Sequence, residues 1–285
     1  MTAAAPRAPG DLRLPEPALH FEARAARLRV LADGHPAGDW LLLLARIATG
    51  QRAAVREVRV RAAEECAEGP PLAPERVPRD GAWRRMLAVV LAAVRDPGLP
   101  AETLAAVREL SEADPARLEA LADEVLAGAV PPDRLALAPF VGAALQAWFA
   151  ALAASLDPGM VAPGGEGCPV CGSPAVAGVV QGDDRRRFLS CALCAAEWYA
   201  PRAVCTRCGD EAALAFFHVN GDEGAKAETC GRCRTYVKLF DLEKRAGAEP
   251  AADDAATIAL DLLLAEEGWR RSGLNLYVGT GGPEA

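Results

Sequence analysis

CPVCGSPAVAGVVQGDDRRRFLSCALCAAEWYAPRAVCTRCGDEAALAFFHVNGDEGAKAETCGRC, residues 168–233, holds eight of the chain's nine cysteines in four Cys-x-x-Cys pairs: Cys168/Cys171, Cys191/Cys194, Cys205/Cys208 and Cys230/Cys233. A Cys-x-x-Cys loop turns two thiolates toward one point. Two such loops facing each other supply the corners of a tetrahedron, the donor set of four-cysteine zinc ribbons and rubredoxin-type iron sites. Intervals of 19, 10 and 21 residues separate successive pairs, so the stretch is one metal-binding unit written twice.

Each unit has the same order of parts. In the first, Cys168 to Gly172 precedes an apolar run from Ala175 to Val180, a turn at Gln181 to Asp184, and Arg186 to Ser190 leading into Cys191. In the second, Cys205 to Gly209 precedes Ala213 to Val219, a turn at Asn220 to Asp222, and Lys226 to Thr229 leading into Cys230. Each is expected to be a β-hairpin with a cysteine knuckle at either end. That reading pairs Cys168, Cys171, Cys191 and Cys194 at one site and Cys205, Cys208, Cys230 and Cys233 at the other. An interleaved pairing is the alternative that spacing leaves open. Gly172 and Gly209 follow the second cysteine of their pairs, where a positive φ turns N–H groups toward the sulfurs. A unit of this size buries too little apolar surface to fold unaided, and a structural zinc would supply on the order of 10–16 kcal/mol.

Closed four-thiolate coordination leaves no position for a substrate, so the sites read as structural rather than catalytic. No histidine has ligand spacing, and His218 falls within an expected strand. Phe188, Trp198, Tyr199, Phe216, Phe217 and Tyr236 are expected to form the small cores of the two units. Arg185, Arg186 and Arg187 read as a solvated hairpin. Seven basic and eight acidic residues between 168 and 233 deny the region the positive footprint of a nucleic-acid-binding ribbon. Cys66 stands apart and reads as a small buried or half-buried residue on a helix.

Outside this region the composition is globular, with 25% charged and 51% hydrophobic residues, and the net charge of −8 opposes general affinity for nucleic acid or anionic membrane. The first 17 residues lack the apolar core of a signal peptide, which points to a cytoplasmic protein in which paired cysteines bind metal rather than form disulfides. Between Arg134 and Asp157 lie 22 uncharged residues, formally enough to span a bilayer. Nine are alanine, and Pro139, Gly142, Gln146 and Ser155 lower the apolarity further. The stretch reads as a buried central helix, with no stable membrane insertion.

Helical periodicity also marks Phe21 to Leu31, Trp40 to Ala63, Trp83 to Val94, Ala101 to Leu110 and a helix from Asp114-Pro115 to Gly128. Thr235 to Leu242 reads as a strand and Asp254 to Arg271 as a final helix. The expected fold is therefore α+β and multidomain. An all-α N-terminal domain precedes two tandem small β modules, rubredoxin-like or zinc-ribbon-like, and a C-terminal helix. The expected divisions are a flexible arm (1–17), the helical domain (18–160), the modules (166–200 and 201–245), the C-terminal helix (251–273) and a tail (274–285).

The segments CPVCGSP (168–174), RFLSCALCAAEW (187–198), CTRCG (205–209), ETCGRCRTYVK (228–238) and LDLLLAEEGWRRSGLN (260–275) resemble those of the FdhE family of formate dehydrogenase accessory proteins. APFVGAALQAWFAALAASLD (138–157) is similar too. The resemblance implies a non-enzymatic, cytoplasmic maturation factor that binds the catalytic subunit of a respiratory formate dehydrogenase before twin-arginine export. It also implies iron at the two mononuclear sites, where thiolate chemistry alone equally allows zinc. Two other classes compete, a zinc-ribbon nucleic-acid-binding protein and a rubredoxin-like electron carrier. The first meets the acidic charge balance, and the second leaves the helical domain without a role.

Overall fold

The computed structural model describes residues 11–60, 69–161, 167–219 and 221–278. Its helical part is built around the uncharged stretch. Proline in the first turn and the alanine-rich run that follows favour a helix at Ala138–Ala153, and every residue of it except Ala151 is buried. A helix apolar on all sides belongs inside a protein core or a membrane. Here neighbouring helices cover it, and among the described residues no helix is long and apolar enough to cross a membrane.

The surrounding helices are α1 (Pro17–Ala32), α2 (Gly38–Glu57), α3 (Ala82–Ala93), α4 (Ala101–Glu112) and α5 (Pro115–Ala127), with the central helix as α6. Local chemistry sets their ends. The Asp114 carboxylate accepts from the Arg117 N–H at 2.8 Å, Pro115 opens α5, and Gly128 closes it at φ +66°. Where α2 crosses α3, a β-carbon at Gly50 would lie 2.9 Å from the Val90 Cα; any side chain there would force the two helices apart. The helix expected from Trp40 to Ala63 begins at Gly38 and ends at Glu57. Cys66, residues 1–10 and the Pro163-Gly164-Gly165 boundary lie outside the described residues.

The two cysteine units share one sheet. Its strands are β1 (Leu12–Arg13), β2 (Ala175–Gln181), β3 (Arg186–Cys191), β4 (Glu197–Tyr199), β5 (Leu214–Phe217), β6 (Ala225–Cys230), β7 (Thr235–Asp241) and β8 (Arg270–Arg271). The order is β1-β4-β3-β2-β7-β6-β5, with β8 beside β7. Both hairpins form as expected, β2 with β3 and β5 with β6, and each module adds a third strand. The modules join through parallel pairing of β2 with β7, Gly178 opposite Leu239 and Val180 opposite Asp241.

Three expectations need correction. The described part of the arm is held in the fold: Leu12 pairs with Trp198, Asp11 binds Arg186, and α1 starts at Pro17. The C-terminal helix is two helices, α7 (Pro250–Ala256) and α8 (Ile258–Glu266), broken at Thr257. Lys238 lies at the break. Its Nζ donates to the carbonyls of Asp254 (2.8 Å) and Thr257 (3.3 Å), and the Thr257 hydroxyl donates back to the Asp253 carbonyl at 2.8 Å. Finally, what reads as a tail re-enters the core, with Asn275 and Tyr277 buried.

Candidate metal centres

Folding of the hairpins assembles two cysteine quartets, Cys168/Cys171/Cys191/Cys194 and Cys205/Cys208/Cys230/Cys233, each with sulfurs within 4.8 Å of one another. Pairing is local, as the hairpin reading expects. In each module the first cysteine pair lies in the loop before the hairpin, and the third cysteine ends its second strand, Cys191 on β3 and Cys230 on β6. The quartets are geometric equivalents. Gly172 N–H donates to the Cys168 carbonyl at 2.7 Å and Gly209 N–H to that of Cys205 at 3.0 Å. Cys168 N–H reaches the Ser173 carbonyl at 2.8 Å, as Cys205 N–H reaches that of Asp210 at 2.8 Å.

The distances fit a tetrahedral ion. Sulfur separations are 3.6 Å (Cys168–Cys194), 3.3 Å (Cys171–Cys191), 3.7 Å (Cys205–Cys233) and 3.7 Å (Cys208–Cys230). Metal–sulfur bonds of ~2.3 Å at tetrahedral angles require edges of about 3.8 Å, whereas a disulfide requires ~2.05 Å. Backbone N–H groups already point at the sulfurs, from Val170 to Cys168 (3.4 Å), from Leu193 and Cys194 to Cys191 (both 3.3 Å), and from Arg207 to Cys205 (3.4 Å). Such donors stabilise thiolate, the ligating form.

One feature of the knuckles is invisible in the glycine pattern. The residue after the second cysteine has positive φ in all four pairs: +77° at Gly172, +60° at Ala195, +70° at Gly209 and +58° at Arg234. Two of the four are therefore non-glycine residues held left-handed, which the fourfold repetition of the turn could have foretold.

Burial and the neighbouring thiols shift the cysteines of each quartet unequally. Burial pushes Cys168 and Cys194 well up, and pushes Cys205 up to about 12. At Cys171 burial is outweighed by hydrogen bonds from Cys168, Cys191 and Cys194, which hold it low. Burial likewise opposes ionisation of Cys233, but the Thr235 hydroxyl, 3.0 Å away, and the Thr235 N–H lower it to about 7.

The first quartet is tied to the helical domain by buried polar groups that periodicity did not single out. Gln146, the one amide in α6, donates to the Ala192 carbonyl in the Cys191–Cys194 loop at 2.7 Å. Its Oε1 accepts from Gln51 (3.2 Å) and Arg24 (3.3 Å). Arg24 also binds Glu249 at 2.8 Å and Tyr277 at 3.2 Å, and Tyr277 donates to Gln51. A lone glutamine in an otherwise apolar run was the available signal, since such a group must find partners once buried.

The remaining expectations divide. His218 is exposed, lies just past β5 and belongs to neither quartet. Phe188 and Tyr236 are buried, but Phe216 is 53% exposed and Tyr199 36%, so the aromatic set is not wholly core. The arginine run is not solvated throughout. Arg187 is buried against Glu228, Arg186 binds Asp11, and Arg185 binds Asp241 at 2.9 Å. Each arginine is matched by a carboxylate, which removes the run as a phosphate-binding patch.

Three family models cover almost the whole chain: FdhE, N-terminal, over residues 9–166; FdhE, central domain, over 167–202; and FdhE, C-terminal domain, over 204–278. A protein FdhE homolog of Edwardsiella ictaluri is 37% identical, covering 94% of this chain and 91% of that one. The homolog of Pseudomonas aeruginosa is 37% identical over 92% of this chain and 91% of its own. The crystal structure of the FdhE protein from Pseudomonas aeruginosa superposes with a TM-score of 0.85 at 36% identity, covering 95% of this chain and 100% of that one.

Proposed function

The chain belongs to the FdhE family, and from that premise we propose that it is a cytoplasmic maturation factor binding the catalytic subunit of a respiratory formate dehydrogenase before export. Family membership over nearly the full length, with both cysteine quartets intact, is the observation that carries this reading. In it, Cys168, Cys171, Cys191 and Cys194 hold one iron and Cys205, Cys208, Cys230 and Cys233 the other, each as a closed mononuclear centre. Zinc meets the same donor set, and metal analysis of anaerobically purified protein decides between them.

The protein acts by binding and not by catalysis, since four thiolates close each coordination shell. The helical domain (18–160) and the modules (166–200 and 201–245) form the client-binding body, with the C-terminal segment locking them together. Copurification under anaerobic conditions tests the client. The formate dehydrogenase catalytic subunit is expected to be retained by the full-length protein and lost when either quartet is substituted by serine. Failure of the intact protein to retain it would overturn the assignment.

A further inference from the structure

The two centres have the same ligands and the same local geometry but different surroundings. In the first, all four cysteines are buried, Cys168 at 1%, Cys171 at 0%, Cys191 at 3% and Cys194 at 0% exposure. Its knuckle tips are apolar. Val170, Ala192 and Leu193 join the main hydrophobic core together with α6. Each tip is also fastened by the helical part of the chain. The Leu72 N–H donates to the Val170 carbonyl at 2.8 Å, and Gln146 Nε2 to that of Ala192 at 2.7 Å.

The second centre has no comparable cover. Cys208 and Cys233 are only half-buried. The corresponding tips are Thr206-Arg207 and Gly231-Arg232, and Arg207, Gly231 and Arg232 are exposed, as are Gly209 and Arg234 beside them. Besides residues that join other clusters (Ala225 and Phe240 in the main core, Val237 and Leu239 in another), the module has its own apolar satellite of Ala227, Tyr236, Leu260 and Leu264 with Phe217 and Trp269. It contains none of the four cysteines.

We infer that the centres are functionally unequal: the first is a permanent tie between helices and sheet, and the second is an exchangeable metal site that loads and unloads directly with solvent. The inference rests on both quartets holding metal. A chelator must approach the sulfurs before the ion can leave. At the second centre Cys208 and Cys233 are reached from the surface, past the exposed Arg207 and the Arg232–Asp210 pair. At the first, approach requires opening the core around Val170 and Leu193 and breaking both hydrogen bonds from the helical part. Exchange moves no electrons. The ion leaves as a divalent cation, and the four thiolates take up protons from water as they are released.

The test uses the full-length chain loaded with two equivalents of zinc and challenged with excess pyridylazoresorcinol. Release should proceed in two phases of one equivalent each, with rates differing by about tenfold or more, a factor that needs only ~1.4 kcal/mol of additional opening free energy. Iodoacetamide added after the fast phase, followed by peptide mapping, should find Cys205, Cys208, Cys230 and Cys233 modified and the first quartet protected. Release of both equivalents in one phase, or modification of the first quartet first, overturns the inference. A chain that takes up no metal at either quartet refutes the metal reading itself, a separate result.

Discussion

Replacing Glu228 with alanine strands a guanidinium inside the sheet. Arg187 on β3 is 1% exposed and Glu228 on β6 is 4% exposed, so the pair that joins the two modules is shielded from water and from salt. Removing one partner of such a pair costs about 3–5 kcal/mol, because a buried charge is left uncompensated. Arg187 retains the carbonyls of Ala200 (3.3 Å), Val204 (2.9 Å) and Pro201, all on the segment linking the modules. These place Glu228→Ala near the lower end, at about 3 kcal/mol. Arg187→Met deprives three carbonyls as well as the carboxylate, and about 5 kcal/mol is expected. The double variant Arg187→Met/Glu228→Leu removes both charges at similar volume. It should cost at least ~2 kcal/mol less than the sum of the single changes. Urea titration of the metal-loaded protein at fixed metal concentration measures the series, with an unchanged m-value as the check that only stability has moved. A Glu228→Ala midpoint equivalent to less than ~1 kcal/mol of loss, or a double variant as damaging as the two singles added, refutes the reasoning.

Gly209→Ala meets nothing within 4 Å, so its cost is purely that of φ +70°. About 1 kcal/mol, or roughly fivefold weaker metal affinity at the second centre alone, is expected in a competition titration. Gln146→Leu removes the donor to the Ala192 carbonyl and should speed zinc release from the first centre by about tenfold, through an orphaned carbonyl worth ~1–3 kcal/mol. Acid sensitivity should centre on Asp254. Burial would raise this carboxyl, but Arg271 and Lys238 hold it below the usual range. Its folded value therefore lies below the unfolded one of about 3.9, and its contribution is complete above that value and lost as pH falls through the folded value. Stability against urea should drop below about pH 4, and Asp254→Asn, less stable at neutral pH, should show a shallower drop.

Much of this was legible along the chain. Cysteine spacing located the four pairs, the hairpin pattern between them favoured local quartets, and the uncharged stretch located the central helix, because all are short-range patterns. Joins between distant segments left no such trace. Gly178 and Leu239 pair in parallel across the modules, yet neither residue carries a mark of its partner. Leu12 and Arg13 form a strand too short for periodicity. At the interruption beside Thr257, Lys238 of β7 donates to the Asp254 and Thr257 carbonyls, a long-range contact that no pattern within the helix announces. Ala195 and Arg234 adopt positive φ because the knuckle demands it, overriding the preference of their side chains.

Tyr277 gives the molecule a direction in time. Its hydroxyl reaches Gln51 across 226 positions of sequence and shares the interior with Arg24 and Gln146. During synthesis all eight ligand cysteines emerge before this residue. The helical core is thus completed by a stretch that is synthesised late, and until it docks the knuckles of the first quartet can still be reached. Metal can enter the first centre early and be walled in afterwards, so that the tyrosine serves as the closing stone over an ion already in place.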